Sequence, residues 1–502
     1  MEGIADGAAS ERRRNAASLE GPVNERAYLA SQPPVRKVEG AVEEIRRRVV
    51  ESGRRVAVLD DDPTGVQSVH GVPVLTTWAV DDLRWALEQT SPTFFMLHNS
   101  RSLPEEEAVA LNREIARNLS KAAGEAGADF DVVSRSDSTL RGHYPAETDA
   151  LAEVLEEGGR RPDGLIICPA FFEAGRITVD DVHWVRQNGE LFPAGQTEFA
   201  ADHSFGYRSS DLKAWVEEKT GGRRKASEVL SVSLADLREG GPERVLELLK
   251  GVSGGRPVVL NAASHADFEV FVLGLLAAEE EGRRFLYRTG PSFLRARGGI
   301  TEPKVLGFAE LYRKRPKEGH GLVLVGSYVP TTTRQLEEAL ALDGVRGVEM
   351  SVPRLLKPES REVELGRVVE EVNESLASSE VVVYTSRELV TAGKAGSTGL
   401  TNFQIGAAVS GALVEVMRRV DRALPLSFVV AKGGITSSDI ATKGLEVRRA
   451  EVAGPLLPPG IVPVWILPDE NDFPGLPYVI FPGNVGGPDS LALAIEALRG
   501  HQ

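Results

Sequence analysis

The 502-residue chain carries a formal net charge of −15, and 42% of its residues are hydrophobic and 26% charged. This composition is typical of a soluble globular protein too long for one ordinary core, and the acidic balance argues against nucleic-acid binding, which needs a basic face. The chain has no run of about 18 apolar residues, the length a membrane span requires, and its single cysteine, Cys168, excludes an intramolecular disulfide.

The N-terminal segment carries no recognisable motif. Its first 25 residues are polar and mixed in charge, without the apolar stretch of a signal peptide. We therefore predict that residues 1–45 form a tail, either loose or wrapped on the surface. The same features predict a cytoplasmic protein without a membrane partner.

The first half of the chain repeats one pattern, in which a short apolar run ends in a polar cluster and a helical pattern follows. Strands that alternate with helices indicate βαβ units and a largely parallel sheet. Ser102 and Glu105 have the spacing of a capping box before one of the helices. The predicted strands are Arg55–Asp60, Phe94–His98, Phe130–Ser134, Gly164–Pro169, Pro257–Asn261 and Phe285–Arg288.

Polar clusters follow most of these predicted strands. In parallel sheets, ligands bind outside the carboxyl ends of the strands. Five polar clusters on one edge of a sheet therefore predict a binding site. The clusters are residues 60–65, 98–102, 134–143, 261–265 and 288–292.

A charged stretch, residues 312–322, separates the two halves, and we place the domain boundary near residue 315. This predicts a substrate domain over 46–315 and a nucleotide domain over 316–502, both α/β with largely parallel sheets flanked by helices. The predicted elements of the second domain are strands beginning at Leu322, Val381 and Phe428 and a helix over 402–420.

Three adjacent carboxylates, Asp60, Asp61 and Asp62, end the first predicted strand. Carboxylates so close repel each other and require a cation, a basic partner or raised pKa values. One of them could orient or deprotonate a substrate hydroxyl. The alternative is an ordinary turn, since Asp, Pro, Thr and Gly all form turns; three acids exceed what a turn requires, which favours a functional role.

Arginines and hydroxyl groups are concentrated in the cluster at 134–143. Guanidinium groups donate paired hydrogen bonds to carboxylates, so we expect a substrate site here, with a helix cap and solvated arginines as the alternative. The later segment 169–185 would be a lid or wall of this site, or a packed loop. The candidate substrate-binding residues are Asp61, Asp62, Arg101, Arg135, Asp137, Ser138, Arg141 and Arg176.

Glycine-rich segments follow the strands of the second domain. Glycine lets a phosphate approach the backbone, and the start of a following helix supplies free N–H groups. A single glycine loop is more often a plain turn, but three in one domain favour nucleotide binding. The candidate ATP-binding residues are Ser327, Gly433, Gly434, Ile435, Thr436, Gly483, Asn484 and Gly486.

Several motifs together resemble the four-carbon acid sugar kinases, a family formerly of unknown function. The resemblance runs from about residue 53 to the C-terminus. It implies an N-terminal sugar-acid domain, a C-terminal nucleotide domain, an active site in the interdomain cleft, and a homodimer. The motifs are DDPTG (61–65), SRSDSTLRGH (134–143), PAFFEAGR (169–176), GSYVPTTTRQLE (326–337), KGGITSSDIATKGL (432–445) and GNVGGPDSL (483–491).

The resemblance implies ATP-dependent phosphorylation of threonate, erythronate or 3-oxo-tetronate at the terminal hydroxyl. By position it assigns Asp61, Asp62 and Arg135 to the substrate, and Ser327, Gly483 and the 433–436 turn to ATP. Ile-Thr-Ser-Ser follows Gly434, where many bacterial members have a Glu-Thr-Ser-Gly type of sequence, so the resemblance does not identify the acid.

The predicted mechanism is in-line transfer from ATP, with Mg²⁺ carried by the nucleotide and with Asp61 and Asp62 as catalytic residues. Arg135 and Arg141 would bind the substrate carboxylate. One alternative is a haloacid-dehalogenase-like phosphatase, since Asp60-x-Asp62-x-Thr64 follows an apolar run. A second is a non-catalytic metabolite sensor that retains the fold.

Overall fold

The computed structural model describes residues 21–62, 65–66, 68–327, 329–386, 402–458, 460, 462–483 and 485–500. The chain divides into two units, residues 1–68 with 77–302 and residues 69–76 with 303–502. The segment 69–76 joins the second unit although it lies within the first half of the chain, which no sequence pattern indicates.

The strands and helices alternate along most of the chain. The strands are β1 Val23–Asn24, β2 Arg54–Asp60, β3 Val72–Leu75, β4 Thr93–Leu97, β5 Asp129–Arg135, β6 Gly164–Cys168, β7 Arg176–Val179, β8 Val182–Gln187, β9 Glu190–Pro193, β10 Leu230–Val232, β11 Arg256–Leu260, β12 Phe285–Thr289, β13 His320–Val325, β14 Val345–Met350, β15 Glu380–Thr385, β16 Leu426–Lys432, β17 Arg449–Pro455, β18 Pro463–Ile466 and β19 Pro477–Phe481. The α-helices are Glu25–Ala30, Ala41–Glu51, Val80–Leu87, Glu105–Ala126, Ala146–Glu157, Leu212–Lys219, Gly241–Lys250, His265–Glu280, Pro291–Arg297, Phe308–Leu311, Pro330–Leu340, Val352–Leu355, Pro358–Leu376, Asn402–Arg418, Gly434–Asp439 and Ser490–Arg499. Short π-helical turns span Asp236–Gly240 and Ile440–Gly444.

The main sheet of the first unit is parallel, in the order β10-β11-β6-β12-β5-β2-β4. Its central strands are continuous apolar runs, because a parallel sheet covered by helices is buried on both faces. Asp60 lies opposite both Leu97 and Arg135, and Thr289 lies opposite Arg135 and Cys168. The carboxyl ends of these strands therefore share one edge, and the predicted α/β fold is confirmed.

A smaller antiparallel sheet, β1-β9-β8-β7, belongs to the same unit. Segment 169–185, predicted as a lid, a wall or a packed loop, contributes its hairpin β7–β8 and a short 3₁₀ turn. The N-terminal segment packs here: Glu25 pairs with Arg186 at 2.5 Å, and the Tyr28 hydroxyl donates to Asp180 at 2.8 Å. From residue 21 onward, the predicted tail is thus docked on the surface.

The strands of the second unit pair in the order β3-β17-β18-β19-β16-β13-β15-β14. The five strands from β19 to β14 are parallel, as predicted, whereas β3, β17 and β18 are antiparallel. Its core includes the fully buried Val323, Val430 and Val479 of the central strands and Leu498 of the last helix. No helix in the described part of the chain is long and apolar enough to cross a bilayer.

One predicted helix start is wrong in detail. Pro104, with no side-chain cap, precedes the helix that begins at Glu105, and the Ser102 hydroxyl donates instead to the Asn99 carbonyl at 2.8 Å. Ser102 is unavailable as a cap because it lies in a separate 3₁₀ turn.

Candidate functional site

Asp60 anchors the carboxyl edge of the first unit. Its carboxylate is fully buried and its Oδ1 accepts hydrogen bonds from Arg135 Nη1 at 2.8 Å and from the Asp62 backbone N–H at 3.0 Å. Burial raises the pKa of Asp60 to about 7, against the opposing charge of Arg135. A Cβ on Gly65 would lie 1.6 Å from Asp60 Oδ2, so only glycine fits there. Asp60 is therefore a closed structural pair with Arg135.

Asp60 Oδ2, against which Gly65 packs, has no hydrogen-bond donor among the described residues. Asp61 has such an oxygen as well. Its Oδ2 accepts a hydrogen bond from the Ser136 hydroxyl at 2.6 Å, whereas Oδ1 has no hydrogen-bond partner among the described residues. Arg101 Nη1 lies 3.9 Å from Oδ1. Burial raises the pKa of Asp61, while Arg101 and Arg135 oppose the shift. A buried carboxylate oxygen without a donor is a ready acceptor for a ligand hydroxyl.

Asp62 and Asp137 hold Arg101 between them. Asp62 pairs with Arg101, and Arg101 Nη1 lies 3.2 Å from Asp137 Oδ1. Asp137 also accepts from Arg141 Nε at 2.9 Å and from the Thr139 backbone N–H at 3.2 Å. Although burial opposes it, the charges of Arg101 and Arg141 and these hydrogen bonds hold the pKa of Asp137 well below its usual range. Asp137 therefore stays ionised and joins the two arginines.

The remaining predicted substrate residues differ in what they can offer a ligand. Arg135 is buried against Asp60, and Ser138 is buried with its carbonyl oxygen accepting from His183 Nε2 at 2.7 Å. Arg176, at the start of β7, lies over the Phe199 ring at 5.7 Å. Burial and the nearby charge of Arg141 lower the pKa of Arg176, whereas the charges of Asp137 and Glu198 oppose the shift.

Sequence reasoning did not select three residues of this site: Ser136, Arg288 and Glu147. Arg288 is the penultimate residue of β12. It is buried, and its Nη2 donates to Ser136 Oγ at 3.3 Å and to the Arg141 carbonyl at 3.1 Å. Glu147 is buried and accepts from Asn112 at 3.1 Å. Ser136 and Arg288 lie in the predicted polar clusters 134–143 and 288–292, and this position is the signal that could have indicated them.

In the second unit, Ser327, Thr332 and Gly483 meet at the carboxyl ends of β13 and β19. Thr332 Oγ1 donates a hydrogen bond and lies 3.1 Å from Ser327 Oγ and 2.9 Å from the Gly483 carbonyl oxygen. A Cβ on Gly483 would lie 3.1 Å from Ser327 Oγ and 3.8 Å from Gly433 Cα. Ser327, Gly433 and Gly483, three of the predicted ATP-binding residues, are thus neighbours.

Gly433 and Thr436 complete this group. Gly433 has φ +123°, a conformation that favours glycine, and donates its N–H to the Phe481 carbonyl at 2.9 Å. A Cβ on Gly326 would lie 2.2 Å from Thr436 Oγ1, which ties β13 closely to the 433–436 turn. A ligand can approach the backbone here because the glycines carry no side chain that would cover it.

The other predicted ATP-binding positions vary in their surroundings. A Cβ on Gly434 would meet open space, and Ile435 is 63% exposed despite its apolar side chain. Gly486 packs against Ser490, and a Cβ there would lie 2.5 Å from Ser490 Oγ. Asn484 lies outside the described residues. An exposed isoleucine beside an open glycine offers an apolar surface to a ligand.

Lys432 was also missed. Its side chain is fully buried, with Nζ 3.1 Å from the Pro482 carbonyl and 3.9 Å from the centre of the Phe481 ring. Burial lowers the pKa of Lys432 to about 7. Among the residues described, no cluster of His, Cys, Asp and Glu side chains could hold a metal ion by itself.

Two family models match the chain. A sugar-binding N-terminal domain matches residues 56–297, and a nucleotide-binding C-terminal domain matches residues 322–491. The D-erythronate kinase of Heliobacterium modesticaldum is 28% identical over 334 residues, covering 64% of this chain and 68% of that protein.

Two solved structures share the fold. A Haemophilus influenzae protein is 19% identical with a TM-score of 0.62, and the match covers 87% of this chain and 98% of that one. A protein from Salmonella typhimurium LT2 is 18% identical with a TM-score of 0.65, covering 88% and 98%. Together with the two family models, which span most of the sequence, these findings show that the chain belongs to the four-carbon acid sugar kinases, phosphotransferases that act on a hydroxyl group.

Proposed function

We propose that this protein transfers the γ-phosphoryl group of ATP to the terminal hydroxyl of a four-carbon sugar acid of the threonate, erythronate or 3-oxo-tetronate type. The observation that carries the proposal is Asp61 Oδ1, a buried carboxylate oxygen without a donor at the edge where ligands bind to parallel sheets. The homology to a D-erythronate kinase makes D-erythronate the first acid to test.

In the proposed mechanism, Asp61 Oδ1 accepts a hydrogen bond from the substrate hydroxyl and takes its proton as the oxygen attacks phosphorus. The Ser136 hydroxyl holds the other carboxylate oxygen at 2.6 Å, so the base is fixed in orientation. Asp62 contributes by pairing with Arg101, which keeps a cation beside the reacting group. Arg101, Asp137, Ser138, Arg141 and Arg176 surround the acid in this proposal, with Arg135 acting through Asp60.

We propose that Ser327, Gly483 and residues 433–436 bind the nucleotide, with Asn484 and Gly486 in the adjoining turn. The close approach of Gly483 to Ser327 and Gly433 supports this assignment. Mg²⁺ would be bound by the phosphates of ATP and would neutralise part of their charge. The cytoplasmic location, the homodimer and the interdomain active site stay predictions; light scattering of the purified protein would test the dimer.

The two alternatives have no support from the family to which the chain belongs. A phosphatase nucleophile at Asp60 is also difficult to reconcile with its surroundings, because that carboxylate is fully buried and bound to Arg135. Thr64, the third residue of the phosphatase pattern, lies outside the described part of the chain.

The direct test is ADP release with Mg-ATP against D- and L-threonate, D- and L-erythronate and 3-oxo-tetronates. Stimulation by one acid would establish the kinase and identify its substrate. Hydrolysis of para-nitrophenyl phosphate without acid-dependent ADP release, abolished by Asp60→Asn, would establish the phosphatase instead.

Asp61→Asn tests the proposed base. The amide keeps an acceptor for Ser136 but cannot take a proton, so we expect kcat to fall by about 10²- to 10⁴-fold. Asp82→Asn is a matched control, since Asp82 is also buried and accepts a hydroxyl hydrogen bond at 2.6 Å, from Thr77. Near-normal turnover of Asp61→Asn would overturn the assignment.

A further inference from the structure

Arg141 and Arg176 lie against the same aromatic ring. The guanidinium carbons of the two residues are 5.2 Å and 5.7 Å from the centre of the Phe199 ring. The three side chains come from separate parts of the chain, since Arg141 follows β5, Arg176 begins β7, and Phe199 lies between β9 and the helix Leu212–Lys219. The fold therefore brings two like charges together, an arrangement that is unfavourable without an anion.

The charge of this pair is only partly balanced within the protein. Arg141 is neutralised by Asp137 at 2.9 Å, with Asp202 at 3.7 Å. Arg176 donates to the carbonyl of Ala174, two residues away, and its Nε is buried without an acceptor among the described residues. Arg176 thus has a positive charge and at least one N–H group left for a ligand.

A continuous series of charged groups connects this pair to the proposed base. Asp137 binds Arg141 on one side and Arg101 at 3.2 Å on the other, and Arg101 lies 3.9 Å from Asp61. A four-carbon sugar acid has a carboxylate at one end and a hydroxyl at the other. At one end of this series the arginine pair can bind the carboxylate, and at the other end Asp61 can accept a hydrogen bond from the hydroxyl.

We propose that Arg176, together with Arg141, binds the carboxylate of the acid, and that Phe199 holds both guanidinium groups in place. This inference rests on the proposed function and deepens it, because it fixes the direction of the substrate and predicts selection for acids over neutral polyols. Arg135, predicted from the sequence for this role, donates through Nη1 to Asp60, and its Nε has no acceptor among the described residues.

The test compares D-erythronate with erythritol, in which a hydroxymethyl group replaces the carboxylate. Loss of a charged hydrogen bond weakens binding by about 10- to 100-fold. We therefore expect Arg176→Met to lower kcat/KM for erythronate by that factor through KM, and to change kcat/KM for erythritol by much less. Arg176→Lys, which retains the charge, should recover part of the preference.

Arg160→Met is the matched control, because Arg160 also stacks on a ring, that of Phe130 at 4.3 Å, and pairs with Asp129 at 3.5 Å. It should keep the wild-type preference for the acid. An unchanged preference in Arg176→Met, or an equal loss with both substrates, would overturn the inference.

Calorimetric binding of D-erythronate to the ATP-free protein separates the two proposals. If no acid stimulates ADP release in the wild type, the proposed function fails. The carboxylate subsite is then judged by binding alone: weaker binding to Arg176→Met than to Arg160→Met supports it, and equal binding or no binding to the wild type refutes it.

Discussion

Gly142 is the position at which one added methyl group would disturb the site most directly. An alanine Cβ would lie 2.6 Å from Ser136 Oγ, 3.0 Å from Asp61 Oδ2 and 3.6 Å from Arg288 Nη2, at a φ of +113°. We expect the backbone strain to cost about 1–2 kcal/mol and the crowding a further ~1–3 kcal/mol. The substitution Gly142→Ala should therefore lower the free energy of unfolding by about 2–5 kcal/mol.

The same substitution should impair catalysis, since it forces Ser136 away from Asp61. A displacement of about 1 Å in a reacting group can reduce the rate by about 10²-fold. The measurements are urea unfolding of the first unit and ADP release with the best acid.

Gly282→Ala provides the control, because Gly282 has φ +91° but nothing within 4 Å of an added Cβ. It should show only the strain of about 1–2 kcal/mol, with normal turnover. If the two variants unfold alike and both retain wild-type kcat, the proposed packing of Ser136 against Asp61 is wrong.

Three further predictions concern buried ionisable groups and the nucleotide turn. Burial, with a contribution from the charge of Asp61, raises the pKa of Glu147 from 4.5 to about 7. The free energy of unfolding should therefore fall by up to about 3 kcal/mol as pH rises between these two pKa values. Glu147→Gln should remove that part of the pH dependence of urea unfolding. Burial lowers the pKa of Lys432 from 10.5 to about 7. The free energy of unfolding should therefore rise with pH above 7, because only the unfolded state remains protonated. Lys432→Met should flatten this rise, and an unaltered dependence of stability on pH would contradict the prediction. In Gly326→Ala the new Cβ would lie 2.2 Å from Thr436 Oγ1, and we expect kcat/KM for ATP to fall by about 10²-fold. The control is Gly366→Ala, where the new Cβ would lie in open space within a helix. This control should leave kcat/KM unchanged and raise the free energy of unfolding by about 0.5–1 kcal/mol.

Local patterns were sufficient to predict nine of the strands and the edge at which the polar residues of the first domain meet. The apolar runs that end at Asp60 and Arg135 are buried strands, and these two residues are opposite each other in the sheet. This could be read from the sequence because strand length, burial on both faces and the residues that end a strand are properties of adjacent residues.

The helix starts show where local reasoning fails. Ser102 and Glu105 have the spacing of a capping box, but the helix begins after Pro104 without a side-chain cap. Capping depends on backbone angles at a single residue, and a motif of suitable composition does not determine them.

The partners of the site residues lie far along the chain. Ser136 and Arg288 contact each other through strands β5 and β12, which are adjacent in the sheet but separated in sequence by the six strands from β6 to β11. Composition could indicate that Arg288 is near the edge, but it could not identify the hydroxyl that Arg288 would meet.

The sequence by itself determined the family, the two α/β domains and the presence of acidic residues and arginines at one sheet edge. Only the tertiary structure decided which arginine forms an ion pair: Arg135 is paired with Asp60, whereas Arg176 lies on Phe199 with no ion pair to a carboxylate among the described residues. The physical reason is that ion pairing depends on distances of a few ångströms and on burial, and both are set by packing between distant segments.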